Sequence, residues 1–350
     1  MSIPVASMRK SRAWKTLLES DFFSAGIVVL FALLVGAILM AITGSNPILA
    51  YQVLLESAFG SVHGFVETMV KACPLIFAGL GTVVAFKCKF WNIGSEGQIY
   101  IGGIAAAFVG GLSLSVPAEL HLLLTIMAAF VGGALWATIP ALLKYLKINE
   151  VITTMMLNYV AILLVSYLLY GPLKDPQSYL PISKEMSSSA ILPILVPATR
   201  FHLGILIGLL CAILVHFLMW KTVLGYRIRA IGENLKAARL GGINPFMVLL
   251  WAAFISGGLS GIAGMAEIAG IQHRLVENFS PGYGYLAIAV ALVGNLKPLG
   301  VILAAVLFGA FLSGANAMQS FANVPINIVY IIEGLIIVLS SARFLRKRAL

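Results

Sequence analysis

Residues 120–173 read LHLLLTIMAAFVGGALWATIPALL, then KYLKINE, then VITTMMLNYVAILLVSYLLYGPL. Two runs without Asp, Glu, Lys or Arg, 120–143 and 151–173, flank a short segment carrying Lys144, Lys147 and Glu150. Each run matches the roughly 20 apolar residues that a helix needs to cross hydrocarbon. Working outward, further uncharged stretches cover 22–55, 72–86, 97–118, 201–220, 240–266, 278–296 and 298–332. Across all 350 residues, 60% are hydrophobic and 10% charged, with a mean hydropathy of +1.00. A soluble domain carries about 25% charged residues. Lipid is therefore the solvent for much of the chain, which excludes an ordinary cytosolic enzyme.

The stretch 298–332 is too long for one helix. Asn316, Gln319, Asn323 and Pro325 divide it, leaving a last helix near 326–342. The expectation is an all-α polytopic membrane protein with about ten transmembrane helices, some short or broken. The first span, 22–42, lacks a small-residue cleavage site and is expected to be retained. The second uncharged stretch, 72–86, gives only about 22 Å of helix. It must be broken, or else begin earlier and take in Glu67 and Lys71, whose i, i+4 spacing supports a helix. Pro74 permits a kink there.

The net charge of +10 is not a nucleic-acid signature, because the cations sit in loops between apolar runs. With ten spans and an inward N-terminus, eighteen Lys and Arg fall in inner segments and four (Lys174, Lys184, Arg200 and Arg274) in outer ones. That is the positive-inside bias. It predicts cytoplasmic termini, with an N-terminal segment 1–21, a membrane domain 22–342 and a basic tail 343–350. The domain carries an inner loop 221–245 and an outer loop 171–202.

Two segments interrupt the apolar pattern. In 90–98 (FWNIGSEGQ) Ser95 and Gln98 have capping-box spacing, which predicts a helix start and admits two readings, a plain turn or interrupted backbone beside a solute path. In 221–245, Asn234 is placed to cap a short Ala-rich helix ending at Gly241 and Gly242, with Pro245 beyond. That basic segment fits either a grip for a partner or an anchor on lipid headgroups. Polar residues within spans are few and costly unless partnered. They are Thr153, Thr154 and Asn158, with Asn327 and Glu333 in the last helix, while Tyr283, Tyr285 and Asn295 flank the eighth span. The tyrosines read as belt residues and Glu333 as pairing with a neighbouring helix. The glycine clusters at 102–103, 110–111, 132–133 and 257–261 read as close-packing faces. Cys73, Cys88 and Cys211 read as packing residues. Neither a Walker A motif nor metal-ligand or nucleophile spacing is present, so no catalytic residue, metal or cofactor is expected in this chain.

Four segments together resemble the permease subunits of bacterial ABC importers for sugars and nucleosides: 90–98 (FWNIGSEGQ), 149–159 (NEVITTMMLNY), 225–244 (GYRIRAIGENLKAARLGGIN) and 281–300 (PGYGYLAIAVALVGNLKPLG). The similarity runs from about residue 20 to 345, and the form of 92–98 looks like the nucleoside branch. The resemblance implies the ABC importer permease architecture in a bacterial inner membrane. Its implied partners are an ATPase subunit that binds the ATP, a second permease chain, an extracytoplasmic solute-binding protein and membrane lipid. It makes Asn92, Glu96, Gln98, Asn158, Tyr283 and Asn295 candidates for the substrate path. Arg227, Arg229, Gly232, Asn234, Ala237, Ala238, Arg239 and Gly241 become candidates for ATPase coupling. The alternative is an ion-coupled secondary transporter, for which Glu333 is the expected deep acid.

Overall fold

The computed structural model describes residues 21–349, with side chains resolved over 25–342. The predicted N-terminal segment thus falls almost wholly outside the described residues, as do the side chains of the basic tail. Thirteen α-helices follow in order among the described residues: α1 (Asp21–Ile42), α2 (Pro47–Phe59), α3 (Val62–Lys87), α4 (Ser95–Gly110), α5 (Ala118–Tyr145), α6 (Glu150–Tyr170), α7 (Gly204–Lys221), α8 (Val223–Glu233), α9 (Leu235–Leu240), α10 (Pro245–Glu267), α11 (Tyr283–Val293), α12 (Pro298–Ala322) and α13 (Ile326–Ala349). A π-helical turn, Ile268–Gln272, extends α10.

Each of the ten expected spans corresponds to a helix, and among the described residues seven are long and apolar enough to cross a membrane. Helix α4 has 16 residues and α11 has 11. The expected eighth span, 278–296, is therefore half helix, entered through non-helical backbone. Two helices were not anticipated: α8, and α2, which begins within the uncharged stretch 22–55 and runs past it, announced by the Asn46 cap and Pro47, the usual start signal. Helix α3 runs unbroken from Val62 through Pro74 to Lys87, so the span begins early and takes in Glu67 and Lys71. Glu67 pairs with Arg200 in the long loop, not with Lys71.

The core is α3, buried along most of its length and enclosed by α10, α11, α12 and α7. Helices α10 and α5 cross with backbones in contact: a Cβ on Gly257 would lie 2.4 Å from the Gly133 carbonyl oxygen, and one on Gly261 2.1 Å from that of Ala129. The glycine clusters serve the close packing expected of membrane helices. Cys73 and Cys88 are buried in this core.

Hydrogen bonds order the two ends of the bundle. At one end the loop after α6 is tied down: Ser183 N–H donates to the Leu275 carbonyl (3.0 Å), Met186 N–H to that of His273 (2.9 Å), and Arg274 pairs with Glu185 (2.7 Å). His202 is buried there, accepting the Gly204 N–H at Nδ1. Burial, then neighbouring His273, holds its imidazole down to about 4. The opposite, basic end gathers the α5–α6 turn, the end of α3, and α8 and α9.

Candidate functional site

Two interruptions of helix meet inside the bundle. After Lys87 the chain does not regain helix until Ser95, and after the π turn it stays non-helical until Tyr283, with Gly282 at a positive φ of 93°. The starts of α4 and α11 are joined by Glu96, whose Oε2 accepts the Gly284 N–H at 2.6 Å. The Ser280 hydroxyl and the Gly282 N–H face the same carboxylate. Helix N-termini present unpaired N–H groups and a positive dipole, so a buried carboxylate is held there without a cation. The backbones touch as well, since a Cβ on Gly284 would lie 2.1 Å from the Glu96 nitrogen.

The capping box expected of Ser95 and Gln98 does not form. Gly94 occupies the cap position without a side-chain bond, and the Ser95 hydroxyl has no partner. Gln98 reaches Asn92 instead: the Asn92 amide donates to Gln98 Oε1 (3.1 Å) and Gln98 Nε2 donates to Asn92 Oδ1 (3.0 Å). Asn92 Oδ1 also accepts the Gly94 N–H (3.0 Å), and its amide donates to Ser256 on α10 (3.1 Å). From α6, Asn158 Oδ1 accepts the Gly97 N–H (2.8 Å), while its amide donates to the Ile93 carbonyl (3.0 Å) and to the Tyr285 hydroxyl (3.2 Å). Interrupted backbone at this depth is tolerated because side chains satisfy it.

The structure thus brings Asn92, Glu96, Gln98 and Asn158 into one knot, all buried. Tyr283 is wholly buried with its hydroxyl unpartnered, which removes it from the interfacial belt. Asn295 lies apart at the α11–α12 turn with a φ of 57°. Sequence reasoning missed Ser256, hidden in the small-residue stripe of α10. It also missed Glu267, which is as buried as Glu96 and has one unpartnered carboxylate oxygen. Glu333 is therefore not the sole deep acid, and its Oε1 finds no hydrogen-bond partner. Beside the knot a cavity of about 180 Å³ is walled by Phe86, Trp91, Ile93, Val151, Ile288 and Leu292.

At the basic end, Thr222 caps α8 and Asn234 caps α9, its Oδ1 accepting the Lys236 and Ala237 N–H groups (3.0 and 3.1 Å). Gly241 and Gly242, the latter at φ 77°, end the helix as expected. Of the coupling candidates, Arg227, Asn234, Ala237, Arg239 and Gly241 are exposed. Arg229 is half-buried with its Nε unpartnered. The other two face inward. Ala238 is buried. Gly232 packs on the end of α3, where a Cβ would lie 1.9 Å from the Lys87 carbonyl oxygen. Tyr226, Arg227, Glu233, Ala237 and Gly241 border an open cavity of about 490 Å³.

With this geometry in view, a family model described as "branched-chain amino acid transport system / permease component" matches residues 64–341. The chain is 36% identical to a glucose ABC transporter permease of Haloferax volcanii over 322 residues, covering 89% of this chain and 84% of that protein. It is 34% identical to a guanosine ABC transporter permease of Bacillus subtilis over 322 residues, covering 91% and 92%. It is 30% identical to a nucleoside ABC transporter permease of Lactococcus lactis over 329 residues, covering 91% and 90%. No solved structure matches the chain.

Proposed function

The chain belongs to this permease family and is a multi-pass membrane transport subunit, not an enzyme, and from that premise we propose that it is the permease of an ABC importer for nucleosides. The observation that carries the reading is the match over some nine-tenths of both chains to permeases named for guanosine and nucleosides. A hexose is the second reading, supported by the glucose relative at 36% identity. On this proposal ATP is bound by a separate ATPase subunit, a second permease chain completes the path, and an extracytoplasmic binding protein delivers the solute. The eighteen-to-four charge split supports cytoplasmic termini.

The residues divide into roles. Asn92, Glu96 and Gln98 hold the interrupted backbone, each satisfied within the chain. Tyr285, half-buried and bonded to Asn158, and the aromatic wall of Phe86 and Trp91 offer a polar edge and an apolar face, as a sugar and a base require. The exposed Arg227, Asn234, Ala237, Arg239 and Gly241 meet the ATPase, while Gly232 passes its displacement to Lys87 by backbone contact. Lys89 Nζ, two residues nearer the knot, donates to the Glu233 carbonyl (3.3 Å).

Proteoliposomes containing this chain, its partner permease, the ATPase and the binding protein should accumulate labelled guanosine only with ATP on the ATPase side. Unlabelled nucleosides should compete and glucose should not. Uptake driven by an ion gradient without the ATPase would overturn the importer reading. A single cysteine in place of Ser178 should react with an impermeant thiol reagent from outside, and one in place of Lys236 should not.

A further inference from the structure

At the basic end a cavity of about 720 Å³ opens between the ends of α5, α8, α9 and α10, and the functional reading uses only Arg239 and Lys89 at its rim, not the space itself. Its rim carries four cations, Lys89, Lys144, Lys147 and Arg239. One is neutralised, because Lys144 Nζ pairs with Glu150 at 2.6 Å and donates to the Lys89 carbonyl at 2.9 Å. Lys147 and Arg239 have no ion-pair partner among the described residues, and Lys89 meets only a carbonyl. Roughly three positive charges therefore surround the space uncompensated. Its walls are apolar: Tyr145, Ile231, Leu235, Phe246 and Leu249, with Tyr145 and Phe246 in ring contact (centroids 4.4 Å apart).

This pairing of a cationic rim with an apolar floor selects among occupants. An acidic side chain of a partner protein would meet the charges but leave the floor empty. A free phosphate would do the same. Leu142, Tyr145 and Leu146 at the end of α5 and Met247 and Trp251 on α10, the two helices that bound the cavity, are exposed apolar side chains. A molecule with an anionic head and hydrocarbon tails matches both parts at once, and basic pockets between membrane helices bind such headgroups.

We infer that this cavity is a binding site for the phosphodiester headgroup of an anionic membrane lipid, held by Lys89 and Lys147 with its first acyl segment against Phe246 and Leu249.

The test uses the full chain reconstituted in phosphatidylcholine nanodiscs doped with phosphatidylglycerol, with retained lipid counted by native mass spectrometry. Phosphatidylglycerol should be retained in preference to phosphatidylcholine. Lys89→Gln/Lys147→Gln should reduce its occupancy by about tenfold or more, since each cation near a lipid surface contributes about 1 kcal/mol. Leu249→Trp, which fills the floor without touching charge, should also reduce it, whereas Lys221→Gln, an exposed cation outside the cavity, should not. Excess inorganic phosphate should fail to displace the lipid. The inference is overturned by equal retention of the two lipids, by unchanged occupancy in both cavity variants, or by displacement with inorganic phosphate. It is equally overturned if, in a parallel purification of the complex with its ATPase, the lysine double variant keeps its lipid but loses the ATPase subunit, which would make the rim a protein-docking surface.

Discussion

The interrupted segment 88–98 and the helix pair 223–240 are both polar breaks between apolar helices, yet they resolve in opposite ways. In the first, Asn92, Gln98 and Asn158 spend their hydrogen-bonding capacity on backbone, on one another, on Ser256 and on Tyr285, and Glu96 is held at a helix start. In the second, the caps close the helix ends, while Arg227 and Arg239 point outward without ion-pair partners among the described residues. A polar group in hydrocarbon is costly unless its own chain satisfies it, whereas one facing water can wait for a partner. Internal satisfaction marks architecture, and outward capacity marks a contact surface.

The sharpest way to break this contrast is Glu96→Leu. It leaves the buried N–H groups at the start of α11 without an acceptor and should cost about 3 kcal/mol or more, read as a lower melting temperature and less monodisperse protein in detergent. Glu96→Gln, which keeps an acceptor, should fall between. A wild-type melting temperature together with lost uptake would instead make Glu96 a solute contact.

His202 tests the same rule outside the knot. Its imidazole is held down to about 4 by burial and then by His273, against about 6.5 when unfolded. In that window the unfolded chain binds more protons, so this contribution is intact above pH 6.5 and drains away as the pH falls toward 4. The full loss approaches about 3 kcal/mol. His202→Gln should flatten the acid limb of a melting-temperature profile between those values, and an unchanged slope would show that His202 does not set it.

Gln98→Leu is expected to cost about 2 kcal/mol, because the Asn92 amide loses both bonds to it. Ala238→Trp should cost a similar amount, roughly 1 to 3 kcal/mol, by overfilling a buried position. The smallest effect sharpens the comparison most. Ala237→Trp, one residue away but exposed, should change stability by less than about 0.5 kcal/mol while abolishing ATP-dependent uptake. If Ala237→Trp transports normally, the outward face of α9 is not the coupling surface.

The limits of sequence reading follow the same line. The Asn234 cap and the Gly241–Gly242 stop were legible because a cap is a bond between near neighbours. The Ser95–Gln98 pairing was misread for the complementary reason: local spacing permits a box, but Asn92 and Ser256, the latter 164 residues from Asn92, offer Gln98 and its partner a better-connected network. Glu67 and Lys71 have helical spacing, yet Glu67 is claimed by Arg200, 133 residues away. Clustering of Asn92, Glu96, Gln98 and Asn158 came from motif resemblance, and their mutual bonds came only with the fold.

The sequence by itself determined the solvent, the helical class and the positions of the spans, because lipid demands long apolar runs and places cations at their ends. It also determined the Asn234 cap and the Gly241–Gly242 stop, which are local. Tertiary structure alone decided that α4 and α11 are short helices meeting at Glu96, that Gly232 and Ala238 face inward, and that four basic side chains from three segments ring one cavity. Those outcomes depend on which distant backbone lies within about 3 Å, and the periodicity of a single segment carries no record of that distance.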